Sequence, residues 1–119
     1  MSAPRRGKRL PRGGGYRLTW SSRAESDLEA IGDYIAADDP VAAERWVNKL
    51  LATARAAADV PMAGRVVPEI RLASVREVFL RTYRVVYRVR EDHVVVLTIF
   101  EGHRLFPSDV DLGDDPGAT

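Results

Sequence analysis

The sequence predicts an α+β domain: an N-terminal strand, a two-helix antiparallel hairpin, and three to four further strands in a mainly antiparallel sheet. Three observations predict it. Between residues 22 and 58 the apolar side chains recur at helical spacing, and between 83 and 100 they alternate or run nearly continuously. The order of these segments is one strand, two helices, then only strands. A helical hairpin packed on one face of the sheet is the simplest way to bury both kinds of stripe, which leaves the other face for a partner.

Each element has its own signal. Tyr16-Arg17-Leu18-Thr19-Trp20 alternates and is rich in β-formers. Ser22-Arg23-Ala24-Glu25 is a capping-box pattern, in which Ser and Glu side chains satisfy each other's backbone donors, so a helix starts at Ser22. Ala24, Leu28, Ile31 and Ile35 form its apolar stripe. Asp38-Asp39-Pro40 ends that helix and starts the next, with Asp39 as N-cap and Pro40 in the first turn. The second helix is expected from Pro40 to Ala58, with Ala43, Val47, Leu50, Leu51, Ala54 and Ala58 facing the core. So short a connection makes the pair antiparallel.

Pro61 and Gly64 interrupt the pattern. Short strands follow at Arg65–Val67 and Arg76–Leu80. Tyr83–Arg90 alternates strictly, with Tyr83, Val85, Tyr87 and Val89 on one face and Arg84, Val86, Arg88 and Arg90 on the other. Val94–Phe100 is apolar on both faces apart from Thr98, as a doubly covered inner strand should be. Glu91-Asp92-His93 supplies the turn between these last two strands.

The chain has 119 residues, enough for one domain, and is 45% hydrophobic and 29% charged. It has no cysteine, which excludes disulfides, thiolate chemistry and Cys-ligated metal. No apolar run reaches the roughly 20 residues of a membrane helix, and the basic N-terminus lacks the apolar stretch of a secretory signal. A cytoplasmic protein without a membrane partner is expected. Three segments are drawn: a disordered basic arm at 1–15, a folded domain at 16–107 and an acidic, loose tail at 108–119.

The net charge of +1 conceals an uneven layout. The arm carries five basic residues and no acid; the tail carries four acids and no base. Residues 61–107 hold eight basic side chains, all arginine, against five acids. Guanidinium is a planar fork of donors suited to phosphate and carboxylate. Arg84, Arg88 and Arg90 share a strand face; Arg76 is on the neighbouring strand, Arg81 lies between the two strands, and Arg104 follows the last strand. These six form a candidate surface for an anion or an acidic partner. The competing reading is that Glu77, Glu91 and Glu101 neutralise them across the strands.

Other chemistry finds little support. Gly13-Gly14-Gly15 precedes a strand rather than a helix, so it is not a phosphate loop. His93 and His103 have no ligand partner at a recognisable spacing, so neither a metal nor any other cofactor is expected. There is no G-x-S-x-G motif.

Larger patterns resemble a known family. Tyr16-x-Leu18-x-Trp20-Ser21, then Ala24-x-x-Asp27-Leu28-x-x-Ile31-x-x-Tyr34-Ile35, is similar to the opening of ParE and related toxins. So is Pro61-x-x-Gly64-Arg65-Val66-Val67-Pro68-Glu69. The closing stretch, Val75-Arg76-Glu77, Tyr83-Arg84-Val85-Val86-Tyr87-Arg88-Val89, Val94-Val95-Val96-Leu97 and Gly102-x-Arg104, resembles the sheet of the RelE/ParE superfamily. The resemblance covers residues 16–106.

It implies the toxin of a type II toxin–antitoxin pair, neutralised by a cognate antitoxin; the uneven charge layout leads us to expect that antitoxin on the arginine-bearing sheet and against the hairpin. Operator DNA would be met only through that antitoxin. Two targets are implied. A ParE-like toxin poisons DNA gyrase and needs only a scaffold and an interaction surface. A RelE-like toxin cuts messenger RNA on the ribosome, where the resemblance assigns phosphate work to Arg84 and Arg104, sets Arg76 against a lysine of that family, and puts Glu69 near a catalytic glutamate. His103 could serve acid–base chemistry, although its ordinary reading is a loop-edge histidine. The tyrosine expected about six residues after Arg104 is Val110 here, so the proton-transfer half of that site lacks its match. A third reading is an inactive toxin-fold binding module.

Overall fold

The computed structural model describes residues 16–113. The elements are β1 (Arg17–Trp20), α1 (Ser22–Ala36), α2 (Pro40–Asp59), a single 3₁₀ turn (Pro61–Ala63), β2 (Arg65–Val66), β3 (Val75–Leu80), β4 (Tyr83–Val89) and β5 (His93–Glu101). The strands form one sheet in the order β1-β5-β4-β3-β2. β1 runs parallel to β5 and every other pairing is antiparallel. The arm at 1–15 and the tail beyond Gly113 lie outside the described residues.

Both helices begin on a side-chain cap. α2 starts as expected: the Asp39 carboxylate accepts from the Ala42 N–H at 3.1 Å, with Pro40 in the first turn. α1 is capped one residue earlier than the capping-box reading placed it, by Ser21, whose hydroxyl accepts from the Ala24 N–H at 3.0 Å. Ser21 is preferred because it also reaches the sheet: its N–H donates to Val96 O, and its hydroxyl donates to Leu97 O at 3.1 Å. A β-bulge accounts for the position. Val86 pairs with Thr98 but Tyr87 pairs with Val96, so Leu97 has no partner across the ladder. The start of α1 is thus tied to the irregularity in β5.

The helix-facing core contains Ala24, Leu50, Ala54, Val85, Val96 and Ile99, with Leu28 and Ile31 packed against it. Leu51, expected in this core, is instead exposed. It lies one residue past Leu50, about 100° around the helix, so both cannot face the sheet. Tyr87 is buried at the lower end of the same face, its hydroxyl donating to Pro61 O at 2.7 Å. Gly64 permits this approach, since a Cβ there would stand 2.1 Å from the Tyr87 oxygen.

The second sheet face is also covered, contrary to the expectation that it is open to a partner. Val67, Val75, Val86, Leu97 and Phe100 form a second core under Ile70, Phe106, Val110 and Leu112. The last two belong to the tail read as loose. Residues 108–113 lie against the domain instead, because Val110 and Leu112 find apolar surface on a strand face that would otherwise meet water. Asp109 adds a 2.9 Å ion pair to Arg23 on α1.

Candidate functional site

The arginines expected to converge on one surface go to four different places. Arg84 and Arg88 do share the face of β4 opposite the helices, but both are buried, at 5% and 6% exposure. Arg88 lies beneath the C-terminal segment and donates to Leu112 O at 3.4 Å. Arg90, at the end of β4, touches the same segment at Gly113. Arg76 pairs with Tyr87 across the ladder and therefore sits on the helix side of the sheet. It donates to the carbonyls of Ala73, Met62 and Gly64, holding the turn after α2. Arg81 is exposed at the tip of the β3–β4 hairpin, and Arg104 is exposed beyond β5.

Arg84 is the centre of an ion-pair chain. Its Nε donates to Glu77 at 2.7 Å, while Nη1 and Nη2 grip both oxygens of Glu69 at 3.0 and 2.8 Å. Glu77 is fully buried and also accepts from Arg65, its cross-strand partner. The Arg84 guanidinium lies 5.0 Å from the centre of the Phe100 ring and 5.6 Å from that of Phe106. Hydrogen bonding to Glu69, then to Glu77, raises the Arg84 pKa against the opposing effect of burial. The same contact holds the Glu69 carboxyl below its ordinary value.

Two of the residues assigned to RNA chemistry, Arg84 and Glu69, are therefore together, but as each other's counter-ions. Two positive and two negative groups make a neutral set that joins β2, β3 and β4 to the loop after Pro68. The neutralising role considered for Glu77 is observed. Glu101 instead meets His103 Nε2 at 3.0 Å and accepts from Thr82. His103 is exposed and turned to this carboxylate.

Arg104 belongs to a different feature. With Arg23, Asp27, Tyr34, Tyr83 and Glu101 it lines a groove of about 780 Å³ between α1 and the end of β5. Among the described residues no carboxylate stands within salt-bridge distance of Arg104. Asp27 is occupied, accepting from Arg23 Nε at 3.1 Å, from the Ile99 N–H at 3.1 Å, and from the Thr98 hydroxyl. Tyr34 is 81% exposed at the rim. Tyr83 has its phenol pKa raised, mainly by burial and further by Glu101 and Tyr34. Among the described residues no group of three His, Asp or Glu side chains is placed to hold a metal ion.

Sequence reasoning missed Arg65 as a partner of Glu77, and the aromatic residues beside Arg104. The first needed the β2–β3 register. The second needed the packing of α1 over the end of β5, which brings together residues from 34 to 104.

A helical hairpin on one face of a five-stranded, mainly antiparallel sheet, with an arginine-rich β3–β5 region, defines a toxin of the RelE/ParE class. Residues 18–106 match the model of the ParE toxin of the type II toxin–antitoxin system parDE, and the chain belongs to that family. Y4kP of Sinorhizobium fredii, a candidate toxin, is 38% identical over 93 residues, covering 76% of this chain and 93% of its own. Toxin RelE2 of Caulobacter vibrioides is 34% identical over 90 residues, covering 75% of this chain and 98% of its own. The fold is shared with the chromosomal ParDE system of P. aeruginosa (TM-score 0.62, 24% identity, 75% of this chain and 98% of the other). It is shared too with the RelBE2 toxin–antitoxin complex of Mycobacterium tuberculosis (TM-score 0.56, 20% identity, 76% and 94%).

Proposed function

We propose that this toxin is neutralised by a cognate antitoxin and acts as a ParE-like inhibitor of DNA gyrase. One observation carries the choice of target: the Arg84 fork is closed. RNA cleavage requires stabilisation of extra negative charge on the phosphate and groups that move protons to and from its oxygens. Arg84 is buried and engaged by two carboxylates, and His103 faces Glu101 on an exposed loop. Inhibition by binding requires neither group. The antitoxin follows from membership of a two-component toxin family; contact with operator DNA is assigned to that partner.

A second reading, ribosome-dependent cleavage of messenger RNA, is favoured by Arg104, which stands in an open groove beside Tyr83 and Glu101. One pair of assays separates the two. Purified toxin is added to gyrase on relaxed plasmid, and separately to a reconstituted translation system with 5′-end mapping of the message. Loss of supercoiling with intact message supports the gyrase reading. New 5′ ends within codons, appearing only during translation, overturn it and move the chemistry to Arg104. Neither effect from folded chain that still binds its antitoxin would leave a binding module.

A further inference from the structure

Trp46 on α2 has two cations over its ring. Lys49 Nζ lies 5.7 Å from the ring centre and the Arg81 guanidinium 5.9 Å. Among the described residues neither cation has a carboxylate within salt-bridge distance, and Glu101, on the neighbouring strand, is engaged by Thr82 and His103. Arg45 is exposed one turn before Lys49 on the same ridge of α2. Like charges gathered on one indole repel each other unless an anion joins them. The hairpin tip reinforces the arrangement: Arg81 has φ 55°, a left-handed conformation in which glycine is the usual occupant.

The surroundings indicate the kind of anion. Trp46 meets Tyr83 edge-on at 6.0 Å, and Tyr83 adjoins the exposed Tyr34 at the rim of the Arg104 groove. The result is a row of aromatics, Tyr34, Tyr83 and Trp46, with Arg104 at one end and Arg81 and Lys49 at the other. Rings interleaved with cations match the repeat of base and phosphate in a single strand, where bases stack and phosphates meet Lys and Arg. An acidic peptide would use the charges but not the row of rings.

We propose that this surface binds a single-stranded nucleic acid segment, with one phosphate held between Lys49 and Arg81 and bases against the aromatic row. The inference goes beyond the choice of target, because it requires neither cleavage nor gyrase.

The test uses the full chain and fluorescein-labelled oligo-dT and oligo-U of about twelve nucleotides, within the site sizes of single-strand binders. A hairpin duplex and an oligoglutamate peptide serve as competitors. Binding is read by anisotropy across salt concentrations and by the Trp46 indole N–H in NMR, assigned with Trp46→Phe. Lys49→Ala with Arg81→Gly removes both charges, and glycine adopts the Arg81 backbone without strain, so folding is retained. The expected result is a single-strand affinity reduced by roughly tenfold or more at low salt, and a salt slope shallower by about 0.7, the value for one lost phosphate contact. The Trp46 indole should shift with single strands. Unchanged affinity and slope in the double variant, or an indole that oligonucleotides leave in place, overturns the proposal and assigns any binding to the basic residues at 1–15. An indole shifted by oligoglutamate but not by oligonucleotide overturns it in favour of an acidic protein partner. Duplex binding equal to single-strand binding removes the role of the aromatic row and overturns it as well.

Discussion

The carboxylate of Asp27 on α1 accepts the Ile99 backbone N–H of β5 at 3.1 Å, beside the bulge that leaves Leu97 unmatched. The same oxygen accepts from the Thr98 hydroxyl, and Ser21 takes the Leu97 carbonyl. Polar groups released by the bulge are thereby satisfied from the first turns of α1. Asp27→Ala is expected to lower the unfolding free energy by about 2–3 kcal/mol, since the buried Ile99 N–H and Thr98 hydroxyl lose their acceptor. Asp27→Asn keeps one acceptor oxygen and should lose about half as much. Urea denaturation compares the two; an alanine variant within about 0.5 kcal/mol of wild type would mean that water replaces the carboxylate.

Burial should rank the two acids that hold Arg84. Glu77 has a fully buried side chain and Glu69 is 42% exposed. Glu77→Ala leaves the buried Arg84 with only the Glu69 fork, its Nε unmatched in a covered site, and takes the acceptor from Arg65; it is expected to cost about 3 kcal/mol. Glu69→Ala breaks a contact at the protein surface and should cost about 1 kcal/mol. Equal losses in denaturant would show that the network is solvated throughout.

The Glu69 contact also has a pH signature. Arg84 holds the folded-state Glu69 pKa below its ordinary 4.5, so folding favours the ionised carboxylate. Its contribution is complete above the unfolded value and is lost as pH falls through the lower, folded value. The stability difference between wild type and Glu69→Gln should therefore be constant from neutral pH down to about 5 and shrink below about 4.5. A difference that grows on acidification would reverse the assigned sign.

Gly64 and Tyr87 should be energetically coupled. A Cβ at Gly64 would stand 2.1 Å from the Tyr87 oxygen and 3.0 Å from Glu77 O. Gly64→Ala is expected to cost roughly 2–3 kcal/mol by displacing the ring. Tyr87→Phe alone loses the bond to Pro61 O, about 1–1.5 kcal/mol. In the double variant the oxygen is gone, so the summed loss should fall short of additivity by about 1 kcal/mol or more. Strict additivity in thermal and urea unfolding would show that the close approach is relieved elsewhere.

The C-terminal segment should act as part of the fold. Truncation after Pro107 removes Val110 and Leu112 from the second core and Asp109 from Arg23. A loss of about 2 kcal/mol or more is expected, dominated by the apolar contacts. Amides of Val67, Val75 and Val86 should exchange faster in the truncated chain. Unchanged stability would return residues 108–113 to the loose tail that their charge suggests.

Much of the architecture was legible in local pattern. Asp39-Pro40 marks the start of α2 because capping and proline geometry involve only neighbouring residues. Tyr83–Arg90 reveals its two faces because strand alternation is a property of the chain itself. The site was less legible. Arg84, Glu69 and Glu77 all stand out in the sequence, yet whether Arg84 faces an outside anion or its own carboxylates depends on the β3–β4 register and on the loop after Pro68. Capping at Ser21 rather than Ser22 was decided by a bulge some seventy-five residues further on, a separation seen in the Ser21–Leu97 bond.

By itself, then, the sequence determined the elements, their order, the two-sided burial of β5 and the toxin family. These rest on backbone propensity, side-chain period and contiguous motifs, all of which act over a few residues. Only the tertiary structure decided which arginines are enclosed and which remain exposed. Charge in a sequence carries no direction, and a guanidinium becomes a structural tie or an open site according to which distant carboxylate, ring or loop the fold brings against it.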